Sequence, residues 1–243
     1  MSRLVLALFA LASILLSNAV SHTPALAETV AYASMAPLGD YLMPDRDDEI
    51  ALAQSAAPPS ISSSATVLVL GPHGYETAKE GTSGFTCLVE RGWMSPFDST
   101  HFWDPELRAP VCYNPQASRS ILLYDFERTR LVLEGMSRAE ILARMENTFA
   151  AKKLPQPEPG AMSYMMSKRQ DFGKGVGNWH PHLMFHVPKA DGAHEGASWG
   201  ANLPGSPVVL DTNHHVTPEP QTIFMIPVRT WSDGTAAPAM SGM

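Results

Sequence analysis

The sequence predicts an α+β domain: a mostly antiparallel sheet of five to six strands, two helices packed on one face, and long irregular loops between them. Three observations lead there. Apolar strand-like runs come first, helical patterns occupy the middle, and strand-like runs return in the C-terminal third. The 21 Pro and 17 Gly interrupt the chain too often for a helical bundle. With 44% apolar and 17% charged residues, the chain can bury a core.

Met1 to Ala27 reads as a secretory signal. Arg3 gives the positive start, Leu4 to Leu16 the apolar stretch, and Ala25-Leu26-Ala27 a small-x-small cleavage pattern, with Glu28 as the expected new N-terminus. The stretch is too short to span a bilayer as a helix. An exported protein, periplasmic or extracellular, is therefore expected, with no membrane span after the signal is removed. The formal charge of −7 argues against nucleic acid as a partner.

Residues 28–64 read as a lead-in: an acidic cluster (Asp45, Asp47, Asp48, Glu49), a short helix capped by Asp47 or Asp48, and a Pro/Ser-rich linker. The first part of this region is expected to be poorly ordered. A single domain is expected over residues 65–230 and a flexible tail over 231–243.

Within the domain, Thr66 to Leu70 is a continuous apolar run whose two faces should both be covered. Tyr75 to Glu80 and Phe85 to Glu90 continue it as a β-meander. Residues 93–115, with five aromatics and four prolines, show neither helix nor strand periodicity and read as a pinned loop. Residues 118–134 suggest one helix stopped at Gly135. Ser137-Arg138-Ala139-Glu140 is a capping box opening a second, along which Ile141, Leu142, Met145 and Phe149 share a side. Strands are expected at 161–167, 180–187 and 222–228.

Cys87 and Cys112 are the only cysteines, and without CxxC spacing an exported chain favours a structural disulfide. Its loop of 25 residues corresponds to about 3 kcal/mol in the chain-entropy model.

The most pointed chemical feature is His180-Pro181-His182-Leu183-Met184-Phe185-His186-Val187. On a strand, period two sends His180, His182, Met184 and His186 to one face; Leu183, Phe185 and Val187 then form the expected core face. His180 and His182, roughly 7 Å apart, could share an ion, whereas His180 and His186, roughly 20 Å apart, could not. A metal, Zn or Cu, would thus be held by His180 and His182, with Met184 or His186 as weaker candidates. Further ligands would come from His73, His101, His194, Glu195, His214 or His215, and Met162, Met165, Met166 and Met225 favour copper.

Hydrolase signatures are missing, and Gly173-Lys174-Gly175-Val176-Gly177 lacks the following helix a phosphate loop needs. The expectation is a small-ligand or metal-binding protein built on the His-bearing strand, with the Trp199 loop or the segment around Trp103 as a lid. The alternatives are an enzyme using His180 or His182 as general base or metal ligand, and an envelope-interaction module.

Overall fold

In a computed structural model of the chain, residues 33–189, 208–210 and 215–238 are described. The signal segment, the Trp199 loop, and His194, Glu195 and His214 lie outside the described residues. The fold is α+β. Its sheet contains strands β1 (Thr66–Gly71), β2 (Gly74–Lys79), β3 (Thr86–Glu90), β4 (Ala109–Tyr113), β5 (Met162–Met165), β6 (His182–Pro188), β7 (Val208–Leu210) and β8 (Gln221–Pro227), in the order β2-β1-β3-β4-β5-β6-β8-β7.

The sheet is larger than the expected five to six strands. Seven strands have four residues or more, and the three-residue β7 adds a further edge. It is also mixed. β2 returns antiparallel along β1, but β3 lies on the other side of β1 and runs parallel to it, so the expected meander is not formed. The chain must cross the start of β1 to get there, and it does so at Gly81. A Cβ on that residue would collide with the backbone of Ser64, Ala65 and Thr66, so only glycine permits the crossing.

β4 was not legible in the proline-rich segment. Pro110 lies opposite Val89, while β5 pairs with β4 only at Cys112 and Tyr113. Cys112 and its partner Cys87 are 4.0 Å apart at Cα, which marks a narrow, non-hydrogen-bonded pair. Pro110–Val89 is two residues along and of the same kind. The absent proline N–H therefore points away from β3, to a side where no strand pairs at that level. The Cys87–Cys112 disulfide joins β3 to β4 as expected.

Helices cover both faces, not one. Helix α1 (Arg46–Gln54) is capped by Asp45, whose carboxylate accepts the Asp47 and Asp48 amides, so the cap falls before both of the expected residues, Asp47 and Asp48. Its Leu52 and Ala53 pack with Ala56, Ala57, Ala65, Val67, Cys87, Val89 and Cys112 on one face. The Pro/Ser run forms a short turn of helix, α2 (Pro59–Ser62), because proline at the first helical position forfeits no bond. The expected lead-in is thus integral to the core from Tyr41 onward.

On the opposite face lie α3 (Pro115–Arg119), α4 (Leu122–Leu133) and α5 (Arg138–Ala150). The single helix expected over 118–134 is broken at Ser120, which leaves helical geometry. The capping box of α5 is present as read, with Ile141 and Met145 fully buried beneath it. Trp93, Phe97, Phe102 and Trp103 fill the same core, which is what pins the irregular aromatic segment. Trp231 is also buried and its neighbour Thr230 bridges to Ala236, which ties down the start of the expected tail.

Candidate functional site

Period two fixes which side chains β6 offers to the helical layer. His182, Met184 and His186 point inward and are buried, whereas Phe185 is 37% exposed. The sequence reading assigned the faces the other way round. Hydrophobicity favours Leu183, Phe185 and Val187 as core, but at this end of the sheet α3, α4 and the loops cover the histidine face. His180 precedes the strand and is half-buried.

Above the histidine face is a cavity of about 250 Å³. Its floor is β4, β5, β6 and β8, through Tyr113, Met165, His182, Met184, His186 and Met225. Its roof is α4, through Tyr124, Asp125 and Arg128. Trp179 and Phe172 close one side, and Met94, Ser95 and Pro96 from the aromatic segment close another. The loop carrying Trp179 is held in place at Gly173, whose φ is +101°. A Cβ there would overlap the side chains of Asp104 and His101, and Asp104 also accepts the Lys174 amide at 3.1 Å. The glycine-rich stretch is therefore docked on the aromatic segment.

The two buried histidines are in different states. His186 uses both ring nitrogens: Nδ1 lies 3.0 Å from Gln221 Oε1 and Nε2 lies 2.9 Å from Ser163 Oγ. The amide oxygen can only accept, so Nδ1 donates and Nε2 accepts the serine proton. His182 donates Nδ1–H to the His180 carbonyl at 2.8 Å. That leaves Nε2 as a bare acceptor in a side chain only 2% exposed, with no hydrogen-bonding partner among the described residues. Trp179 meets its ring edge-on at 4.6 Å. Burial lowers the pKa of both imidazoles to about 4, so both are neutral at neutral pH.

At the roof, sequence reasoning missed a group. The Tyr113 hydroxyl lies 2.7 Å from Glu90 Oε1 and 2.8 Å from Asp125 Oδ2. A phenol has one proton to donate. It donates to one carboxylate and accepts from the other, which must itself hold a proton at that contact. Glu90 and Asp125 therefore share a proton through Tyr113. Burial, reinforced for Asp125 by the Glu90 charge, pushes Glu90 up to about 7 and Asp125 well above the carboxylate range. Burial and both carboxylates raise Tyr113 as well. The available signal was Asp125 standing with Leu122, Arg128 and Thr129 at helical spacing, since a carboxylate on the buried side of a helix needs a partner.

The nearby cations are already engaged. Arg128 makes two 2.7 Å bonds to Glu219 and donates to the Trp93 and Ser95 carbonyls. Arg91 is paired with Glu49 at 2.7 Å and donates to the Tyr41 carbonyl.

As to metal, His180 does not line the cavity, and the His180 carbonyl occupies one nitrogen of His182. Among the described residues no group of three or more His, Cys, Asp or Glu is placed to hold an ion. His101 is bound up with Asp104 at 3.2 Å, and His215 lies near Asp98 at 3.7 Å. The sheet does collect thioethers: Met165 stands opposite His182, and Met184 opposite Met225. No protein-family model matches the chain, and neither a curated protein nor a solved structure shows significant similarity to it.

Proposed function

We propose that the protein binds a small organic molecule in the cavity between β6 and α4, with His182 Nε2 as its hydrogen-bond acceptor. The observation that carries this reading is the bare Nε2 itself. It has no protein partner among the described residues and opens on the cavity, so a ligand's donor can take the place that water otherwise holds. The Nδ1 contact with the His180 carbonyl fixes the tautomer, so Nε2 presents a lone pair. The cavity is slightly smaller than the roughly 300 Å³ at which drug-sized sites begin, which favours a compact ligand. The Cys87–Cys112 disulfide supports the export reading, and no described helix is long and apolar enough to cross a membrane.

Indole and indene test the assignment, because they share a shape and only indole carries an N–H. Ligand-observed NMR is expected to show indole binding about five- to tenfold more tightly, the worth of one hydrogen bond. The preference should vanish in His182→Phe. Equal binding of both probes to the wild type would remove His182 from its proposed role.

A second reading rests on the thioethers. His182 with Met165, Met184 and Met225 forms a soft donor set suited to Cu(I) rather than Zn, and an imidazole anchored through its other nitrogen to a carbonyl is the usual support for a metal-bound histidine. After anaerobic loading and desalting, elemental mass spectrometry should then find copper near one per chain in the wild type and none in His182→Phe. Copper-free wild-type protein would dispose of this reading.

A further inference from the structure

Resting on the proposed cavity function, we infer that the ligand is a protonated amine with an apolar body, whose ammonium group replaces the proton shared by Glu90 and Asp125. The argument is one of charge and hydrogen-bond supply. Three carboxyl groups line the cavity: Glu90, Asp125 and Glu219. Two guanidinium groups line it with them, and each is spent: Arg91 on Glu49, Arg128 on Glu219. Glu90 and Asp125 have no cation of their own, and Tyr113 is their only hydrogen-bonding partner among the described residues. A retained proton is what keeps a 2%-exposed Asp125 and its neighbour from facing each other as two anions.

The other groups facing the pair supply no positive charge. Tyr75 on β2 donates its hydroxyl to the Val89 carbonyl. His182 and His186 are neutral, and His182 offers a lone pair. A bound molecule therefore gains most by bringing donors and a positive charge. A carboxylate ligand would meet carboxyl groups and a lone pair. The remaining walls, including Tyr124, Trp179, Phe172 and Met94, suit an aromatic or aliphatic body, and aromatic faces also favour a cation.

The exchange balances. The ligand enters as an ammonium ion and keeps its proton; the proton held between Glu90 and Asp125 leaves to solvent. One positive charge arrives and one departs, and the buried charge is unchanged.

Phenethylamine, 2-phenylethanol and phenylacetate share a body and differ in charge, so they serve as probes. Calorimetric titration of the full chain at about pH 8, above the Glu90 titration so that the pair holds one proton, in two buffers of different ionisation enthalpy, measures affinity and proton release together. Phenethylamine is expected to bind about tenfold or more tightly than 2-phenylethanol, with phenylacetate weakest and up to one proton released per amine bound. At that pH Asp125→Asn should abolish the release, because the remaining Glu90 is already ionised, and the double variant Glu90→Gln/Asp125→Asn, with no carboxyl group left at Tyr113, should abolish it as well. Having both guards against one variant failing to fold. Equal affinity for amine and alcohol, or amine binding without proton release by the wild type, overturns the inference. Binding of indole alone overturns it while leaving the cavity function standing; if indole fails as well, both fall.

Discussion

Arg128→Met is expected to destabilise the protein by about 3–5 kcal/mol in urea unfolding at neutral pH. The guanidinium is bidentate with Glu219, caps the Trp93 and Ser95 carbonyls, and lies 4.4 Å above the Phe97 ring. Methionine fills much of the same space but leaves Glu219, itself 5% exposed, as an uncompensated buried carboxylate. Arg128→Lys should rescue little, since one ammonium cannot reproduce a two-pronged contact plus two carbonyl bonds. Arg128→Met combined with Glu219→Leu should recover most of the loss, because the cost lies in the stranded charge rather than in the missing attraction. A loss from Arg128→Met no larger than that from Arg119→Met, at the exposed Arg119–Glu158 pair, would contradict this account. The same contact ties α4 and the aromatic segment to the chain entering β8, so the single variant should also open the cavity.

The second large effect is a pH dependence made of two opposed parts. His182 and His186 titrate near 4 when folded, against 6.5 in an unfolded chain. As pH falls through 6.5 the unfolded state takes up protons that the folded state refuses, so stability is lost down to about pH 4. Glu90 behaves in the opposite sense. It keeps its proton up to about 7 when folded but releases it near 4.5 when unfolded, so stability is lost as pH rises across that window. Between about pH 7 and about pH 5, each histidine takes away on the order of 2 kcal/mol and Glu90 returns a similar amount.

Variants separate the two. In His186→Gln the acid-side loss should shrink by about 2 kcal/mol, and in Glu90→Gln it should grow by a similar amount. Urea midpoints at the two pH values read the difference directly. A slope that moves the same way in both variants would contradict the assigned protonation states. The result bears on function, because a neutral His182 can accept a hydrogen bond at Nε2 and a protonated one cannot.

How much was legible varied with the kind of signal. The α5 capping box, the β1 run and the Gly135 stop are local features, and each appears in place. The disulfide pairing followed from there being two cysteines and no others. β4 was hidden because Pro110 argues against a strand unless the pairing on each side is known. The inward turn of the His182 face was misread for a related reason. Alternation along β6 shows that two faces exist, but which one meets the helices depends on where α3, α4 and the 168–180 loop come to lie.

The carboxyl pair marks the limit most sharply. Glu90 and Asp125 are 35 positions apart on different elements, and Tyr113 joins them from a third. Each could be read as an ordinary surface charge.

By itself the sequence determined the class of fold, the α5 capping box and the Gly135 stop, the crosslink, and β6 as the strand to inspect. These rest on periods, caps and residue types that act within a few positions. Tertiary structure alone decided that the sheet is mixed and covered on both faces, that His182 and His186 face inward in different hydrogen-bonding states, and that Glu90 and Asp125 meet at Tyr113. Those outcomes depend on which distant surfaces are buried together, and burial is what sets the protonation and hydrogen-bonding needs of the groups inside.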